Sequence, residues 1–206
     1  MKRIWDISPS VDERSAVFPG DTMYSQHQHF SLGPECPVNV NSITLSPHTG
    51  AHADAPLHYA QSGQAIGAVG LVPYLGLCRV IHCVDAGPLI QPGAIAHALA
   101  NLPPRVLIRT VRIASQSWDA FSALAEQTVS LLASLNVILV GIDTPSVDPA
   151  SSRDLPSHQQ LLRHNLRVLE NLVLDEVAEG DYELIALPLK LTKADASPVR
   201  AILREI

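Results

Sequence analysis

Cysteine is scarce in this chain, and what there is does not pair. The 206 residues hold three, Cys36, Cys78 and Cys83, an odd number with no C-x-x-C among them. That excludes a disulfide framework and fits reduced thiols buried as small hydrophobes. Long apolar runs are missing too. The longest, residues 137–142 and 184–189, are far too short to span a bilayer. No Lys/Arg cluster stands out and the formal charge is -6, so nucleic acid is a poor partner. Lys2 and Arg3 are followed by Asp6 rather than by an apolar segment, which predicts no signal peptide and a cytoplasmic protein. Internal repeats, linkers and low-complexity tracts are absent, so residues 1–206 are expected to form a single domain. With 47% apolar and 17% charged residues, that domain is globular.

Short β-branched runs dominate what remains. Strands are predicted at residues 3–7, 24–32, 38–45, 77–84, 106–110, 137–142, 182–191 and 199–203. Residues 8–22 read as a loop turning at Pro19-Gly20. Helices are predicted at residues 92–99, with Pro92 near the start, and at 118–135, with Asp119 as N-cap. Ser157 and Gln160 suggest a capping box opening another. Strands outnumber helices and mix meanders with crossovers. The fold class is therefore α/β, mostly β, a single domain with helices packed on a mixed sheet.

Chemistry concentrates between Ser46 and His58, where the chain reads S-P-H-T-G-A-H-A-D-A-P-L-H. His48, His52, Asp54 and His58 fall in an H-x3-H-x-D-x3-H pattern. Imidazole and carboxylate suit a borderline-soft divalent metal such as zinc. Pro47, Gly50 and Pro56 make a helix unlikely through the run. A glycine-containing loop can instead point His48 and His52 at one spot. His52 and Asp54, two apart, share a side of any extended segment. Three protein ligands leave a position open, the pattern of catalytic zinc. His58, just beyond them, is read as an acid/base, with ligation or a structural role as alternatives. Phe18, beside Pro19 and Gly20, is a candidate aromatic for stacking on a substrate ring. Asp143 and Asp148 read as loop-organising residues, and His27 and His29 as solvent-facing strand residues.

Three further blocks accompany that run: Phe18-Pro19-Gly20-Asp21-Thr22, Gly141-Ile142-Asp143-Thr144-Pro145-Ser146-Val147-Asp148, and Leu169-Glu170-Asn171-Leu172. In this order the four blocks resemble the cyclase-family metallohydrolases, in particular their bacterial arylformamidase branch, over nearly the whole chain. The resemblance implies a swivelling β/β/α fold and two zinc ions per chain. It implies that His48, His52 and Asp54 hold the first ion and His158 the second, with Asp54 and Glu170 bridging. It further implies a homodimer, and leaves open whether loops of one subunit reach the other's site. The activity it implies is hydrolysis of N-formyl-L-kynurenine to L-kynurenine and formate in tryptophan catabolism. Alternatives are a related amidohydrolase or cyclase acting on another aryl amide, or a non-catalytic metal-binding module. A histidine such as His58 beside the ligands argues against the module.

The implied ligand pair His158 and Glu170 constrains the backbone. Twelve residues of unbroken helix would separate them by about 18 Å, too far for one metal centre. The helix must therefore stop between them. Asn165, tolerant of the left-handed conformation, is the candidate stop, with Glu170 in an extended segment beyond it.

Overall fold

The computed structural model describes residues 2–206. In chain order its strands are β1 (Ile4–Asp6), β2 (Ser25–Phe30), β3 (Val40–Thr44), β4 (His52–Asp54), β5 (Leu75–His82), β6 (Leu89–Ile90), β7 (Arg105–Arg109), β8 (Ala123–Leu124), β9 (Leu139–Ile142), β10 (Arg167–Glu170), β11 (Gly180–Ile185), β12 (Ala196–Pro198) and β13 (Ile202–Arg204). The α-helices are α1 (Pro56–Tyr59), α2 (Pro92–Ile95), α3 (Glu126–Ser134) and α4 (Pro156–His164).

Nine strands form one curled mixed sheet in the order β1-β13-β11-β5-β7-β9-β10-β4-β12. Its centre, β5-β7-β9-β10, is parallel, and both flanks pair antiparallel. Central strands buried on both faces need apolar residues on both, as Val106–Ile108 of β7 and all of β9 supply. Alternate residues divide between two cores. Val80, Leu107, Leu139 and Leu169 face inside the curl with Ile7, Tyr74 and Leu203. Ile81, Val106, Ile108, Val140 and Val168 face Leu132 of α3 and Leu161 of α4. The predicted mostly β α/β class holds.

Several boundaries differ from expectation. The helix expected over 118–135 begins only at Glu126, with Ala125 as N-cap. Residues ahead of it are claimed by the strand pair β6–β8, and Asp119 accepts from the Ser117 hydroxyl instead of capping. The strand expected over 182–191 runs from Gly180 to Ile185, short of Pro188, which has no N–H for a ladder. The last predicted strand, 199–203, is shortened to Ile202–Arg204, and an unexpected strand just before it, β12, pairs with β4. Cys78 and Cys83 are buried as predicted, whereas Cys36 is only half-buried, in the turn joining β2 to β3.

Candidate metal centre

The site lies on the helix-facing side of the sheet, where β4, β10 and the start of α4 meet. In β4, Ala53 points into the curl, so His52 and Asp54 point the other way. Across the antiparallel ladder Glu170 sits opposite His52, and Val168 opposite Asp54. Val168 belongs to the helix-side core. Glu170 therefore shares its face with His52 and Asp54. The helix α4 closes over them and brings His158 in its first turn.

Local structure aims each donor. Gly50 has φ +66°, and a Cβ there would lie 2.7 Å from Val11 Cγ2, so this turn requires glycine. The turn folds His48 back, with Thr49 N–H donating to Ser46 C=O at 3.0 Å. His52 Nδ1 donates to Gly50 C=O at 2.9 Å, which leaves Nε2 as the free lone pair. His52 Nε2 is 3.5 Å from Asp54 Oδ1 and 3.2 Å from Glu170 Oε2. His48 Nδ1 is 3.0 Å from Asp54 Oδ1. His158 Nε2 lies 3.5 Å from Asp54 Oδ2 and 3.6 Å from Glu170 Oε1.

The capping box expected at Ser157 does not form. Pro156 occupies the first helical position, and Ser157 lies inside the helix, its hydroxyl donating to Leu124 C=O at 2.9 Å. The first free amides, those of Ser157 and His158, instead donate to Oδ1 and Oδ2 of Asp148, each at 3.0 Å. Asp148 Oδ2 also receives His158 Nδ1 at 2.7 Å. One carboxylate thus caps the helix and turns Nε2 of His158 toward Asp54. At the other end Asn165 takes φ 54°, ψ 32°, and Leu166 N–H returns to Leu161 C=O at 2.9 Å. The helix stops where the ligand spacing requires, and Glu170 follows in β10.

The residues fit a metal ion by an internal test. Both carboxylate oxygens of Asp54, and Nε2 of His158, are buried without a hydrogen-bond partner, despite short distances to their neighbours. Such atoms are costly unless satisfied. They converge on common points rather than on one another. Two triads of donor atoms, each mutually within 4.8 Å, share Asp54: His48–Asp54–His58 and His52–Asp54–Glu170. Burial opposes ionisation of Asp54, but the imidazoles of His158 and His48 outweigh it and hold the carboxyl well below its ordinary value. Burial would likewise lower His48, yet Asp195 and Asp54 raise it to about 10. Against the same desolvation, Asp148 and Asp54 raise His158 to about 10. A pocket with this field takes up a proton or, in its place, a cation.

His58 stands at the rim in α1, its ring centroid 4.3 Å from that of His48 and 5.9 Å from that of His158. Above the donors opens a cavity of about 330 Å³ walled by Phe18, Trp118, Pro145, Pro149 and Leu155. Phe18, about half exposed, meets Trp118 edge to face at 5.1 Å between centroids. The structure therefore gathers His48, His52, Asp54, His58, His158, Glu170 and Phe18 around one cavity. Asp143 organises strand ends, accepting from Thr110 and Val111. His27 and His29 lie on the exposed strand β2.

Two site residues escaped the sequence reading. Trp118 falls at the start of the segment 118–135, whose spacing predicts a helix. Asp195 had no ligand-like spacing to mark it, yet its Oδ2 lies 3.0 Å from His48 Nε2 and 3.1 Å from His58 Nδ1. Hydrogen bonds from His48 first, and then from His58, hold its carboxyl well below the ordinary range despite partial burial.

Comparison with known proteins decides the family. Residues 5–149 match the model of the family described as "Putative cyclase". The chain belongs to this cyclase family. It is 76% identical to a kynurenine formamidase of Polaromonas naphthalenivorans, over 99% of this chain and 92% of that protein. A kynurenine formamidase of Bordetella pertussis is 65% identical over all of both chains. Among solved cyclase-fold structures, a "Potential Metal-Dependent Hydrolase With Cyclase Activity" superposes with TM-score 0.83 at 25% identity, covering 100% of this chain and 99% of that one. Isatin hydrolase A from Labrenzia aggregata shares the fold, with TM-score 0.84 at 22% identity over 98% and 93% of the two chains.

Proposed function

We infer that this chain is a metal-dependent amide hydrolase that converts N-formyl-L-kynurenine to L-kynurenine and formate. Full-length relatives at 76% and 65% identity are named kynurenine formamidase. The observation that carries the chemistry is Asp54: a buried carboxylate with two unpartnered oxygens, shared by two donor triads beneath an aromatic-walled cavity.

We assign the cofactor as zinc, two ions per chain. His48, His52 and Asp54 would hold the first and His158 the second, with Asp54 and Glu170 between them. Zinc bound there supplies a nucleophile from water at neutral pH and polarises the formyl carbonyl. The remaining work falls to the protein. Phe18 and Trp118 hold the aryl ring, placing the formamide over the histidines. His58, at the rim, takes a proton from the attacking water and returns it to the arylamine nitrogen as the C–N bond breaks. The formyl carbon keeps the hydroxyl and leaves as formate.

The assembly proposed is a homodimer in the cytoplasm. The β2–β3 ladder supports the dimer, since it exposes Phe30, Val40 and Ile43 and such apolar surface favours a partner. No helix among the described residues is long and apolar enough to cross a membrane.

The substrate is tested by following kynurenine formation with metal-replete protein. N-formylkynurenine should exceed a cyclic aryl amide in kcat/KM by at least about tenfold, the scale of a few pocket contacts. Preference for the cyclic amide would overturn the substrate assignment, and turnover of neither would overturn the hydrolase.

A further inference from the structure

Among the described residues, one carboxylate touches both a candidate metal ligand and the candidate acid/base. Asp195 belongs to none of the four sequence blocks around the site. It arrives by topology. The strand β12 pairs with β4 so that Ala196 lies opposite Asp54, and Asp195 C=O accepts the Ala55 N–H at 2.8 Å. That places its side chain between the turn bearing His48 and the short helix bearing His58. Its Oδ2 lies 3.0 Å from His48 Nε2 and 3.1 Å from His58 Nδ1. An ionised carboxylate only accepts hydrogen bonds, so both imidazole nitrogens facing it carry hydrogen. In neutral imidazoles this fixes two tautomers at once. His48 is left with its Nδ1 lone pair directed at Asp54 and the ligand cluster. His58 is left with its Nε2 lone pair free.

We propose that Asp195 is a positioning residue for both halves of the reaction, setting the metal-binding tautomer of His48 and the proton-accepting tautomer of His58 through a single oxygen. The proposal rests on the hydrolase reading above. Partners that orient a metal-ligating histidine typically contribute about 10–100-fold to metal affinity. A base held in the wrong tautomer loses its lone pair at the reacting atom, which lowers kcat rather than raising KM.

The test uses Asp195→Ala and the near-isosteric Asp195→Leu, which both remove the oxygen that accepts from the two imidazoles. Zinc affinity is read without substrate, by competition with a chromophoric chelator. Both variants should bind zinc about 10–100-fold more weakly. At saturating zinc, kcat for N-formylkynurenine should still be lower by at least about tenfold, with KM little changed. The His58→Ala/Asp195→Leu double variant should turn over within about twofold of His58→Ala alone, because Asp195 acts through His58. Unchanged zinc affinity in a folded Asp195→Leu protein would overturn the role at His48. Penalties that multiply in the double variant would overturn the role at His58. Wild-type protein that forms no kynurenine would instead sink the substrate assignment, while the chelator measurement still decides the placement of His48.

Discussion

Replacing Asp54 with alanine is expected to strip the protein of both metals and abolish kynurenine formation. Asp54 is almost fully buried, and neither of its oxygens has a hydrogen-bond partner. One oxygen faces His48 and His52, the other His158. No other side chain lies in both donor triads. Elemental analysis of the purified variant should fall from about two ions per chain to near zero. Retention of one ion would show that Asp54 serves a single metal, and Glu170 would then be the sole bridge.

Replacing His58 with alanine should have the opposite signature: metal stays and turnover goes. His58 is partly exposed, and its Nδ1 is engaged by Asp195. In the proposed assignment the other five donors hold both metals without it. General acid–base catalysis contributes about 10²–10⁴-fold, and kcat should fall within that range. KM should change little, since a proton in transit matters in the transition state. A phenyl formate, whose leaving group needs no proton, should suffer less than the anilide. Metal loss from this variant would make His58 a ligand, a role its place in one triad with His48 and Asp54 also allows. Equal penalties on ester and anilide would make it a structural support.

Local rules carried much of this into the sequence. The apolar, β-branched runs of the central strands, the glycine at the His48–His52 turn and the helix stop at Asn165 each follow from local composition or one residue's stereochemistry. The proposed ligands His48, His52 and Asp54 are legible as a cluster because they lie within one short run. His158 and Glu170 came from resemblance, and spacing alone would have joined them in a single helix. What stayed hidden was set by pairing between distant segments. Residues 118–125 have helical spacing, but the β6–β8 ladder takes Ala123 and Leu124 from the helix. Asp148 looked like a loop residue, yet it caps α4 because Pro156 leaves the next two amides free. Asp195 enters the site only because β12 lies against β4, a neighbour relation that no local pattern encodes.

The central claim is that five side chains from three separate segments build a two-ion centre for formamide hydrolysis. Its most direct test is to remove metal with a chelator, add zinc back in steps and follow kynurenine release from N-formylkynurenine at each step. Turnover should be lost on chelation, return with zinc and reach its plateau at about two equivalents per chain. Full turnover in the chelated protein, or a plateau at one equivalent, would contradict the account.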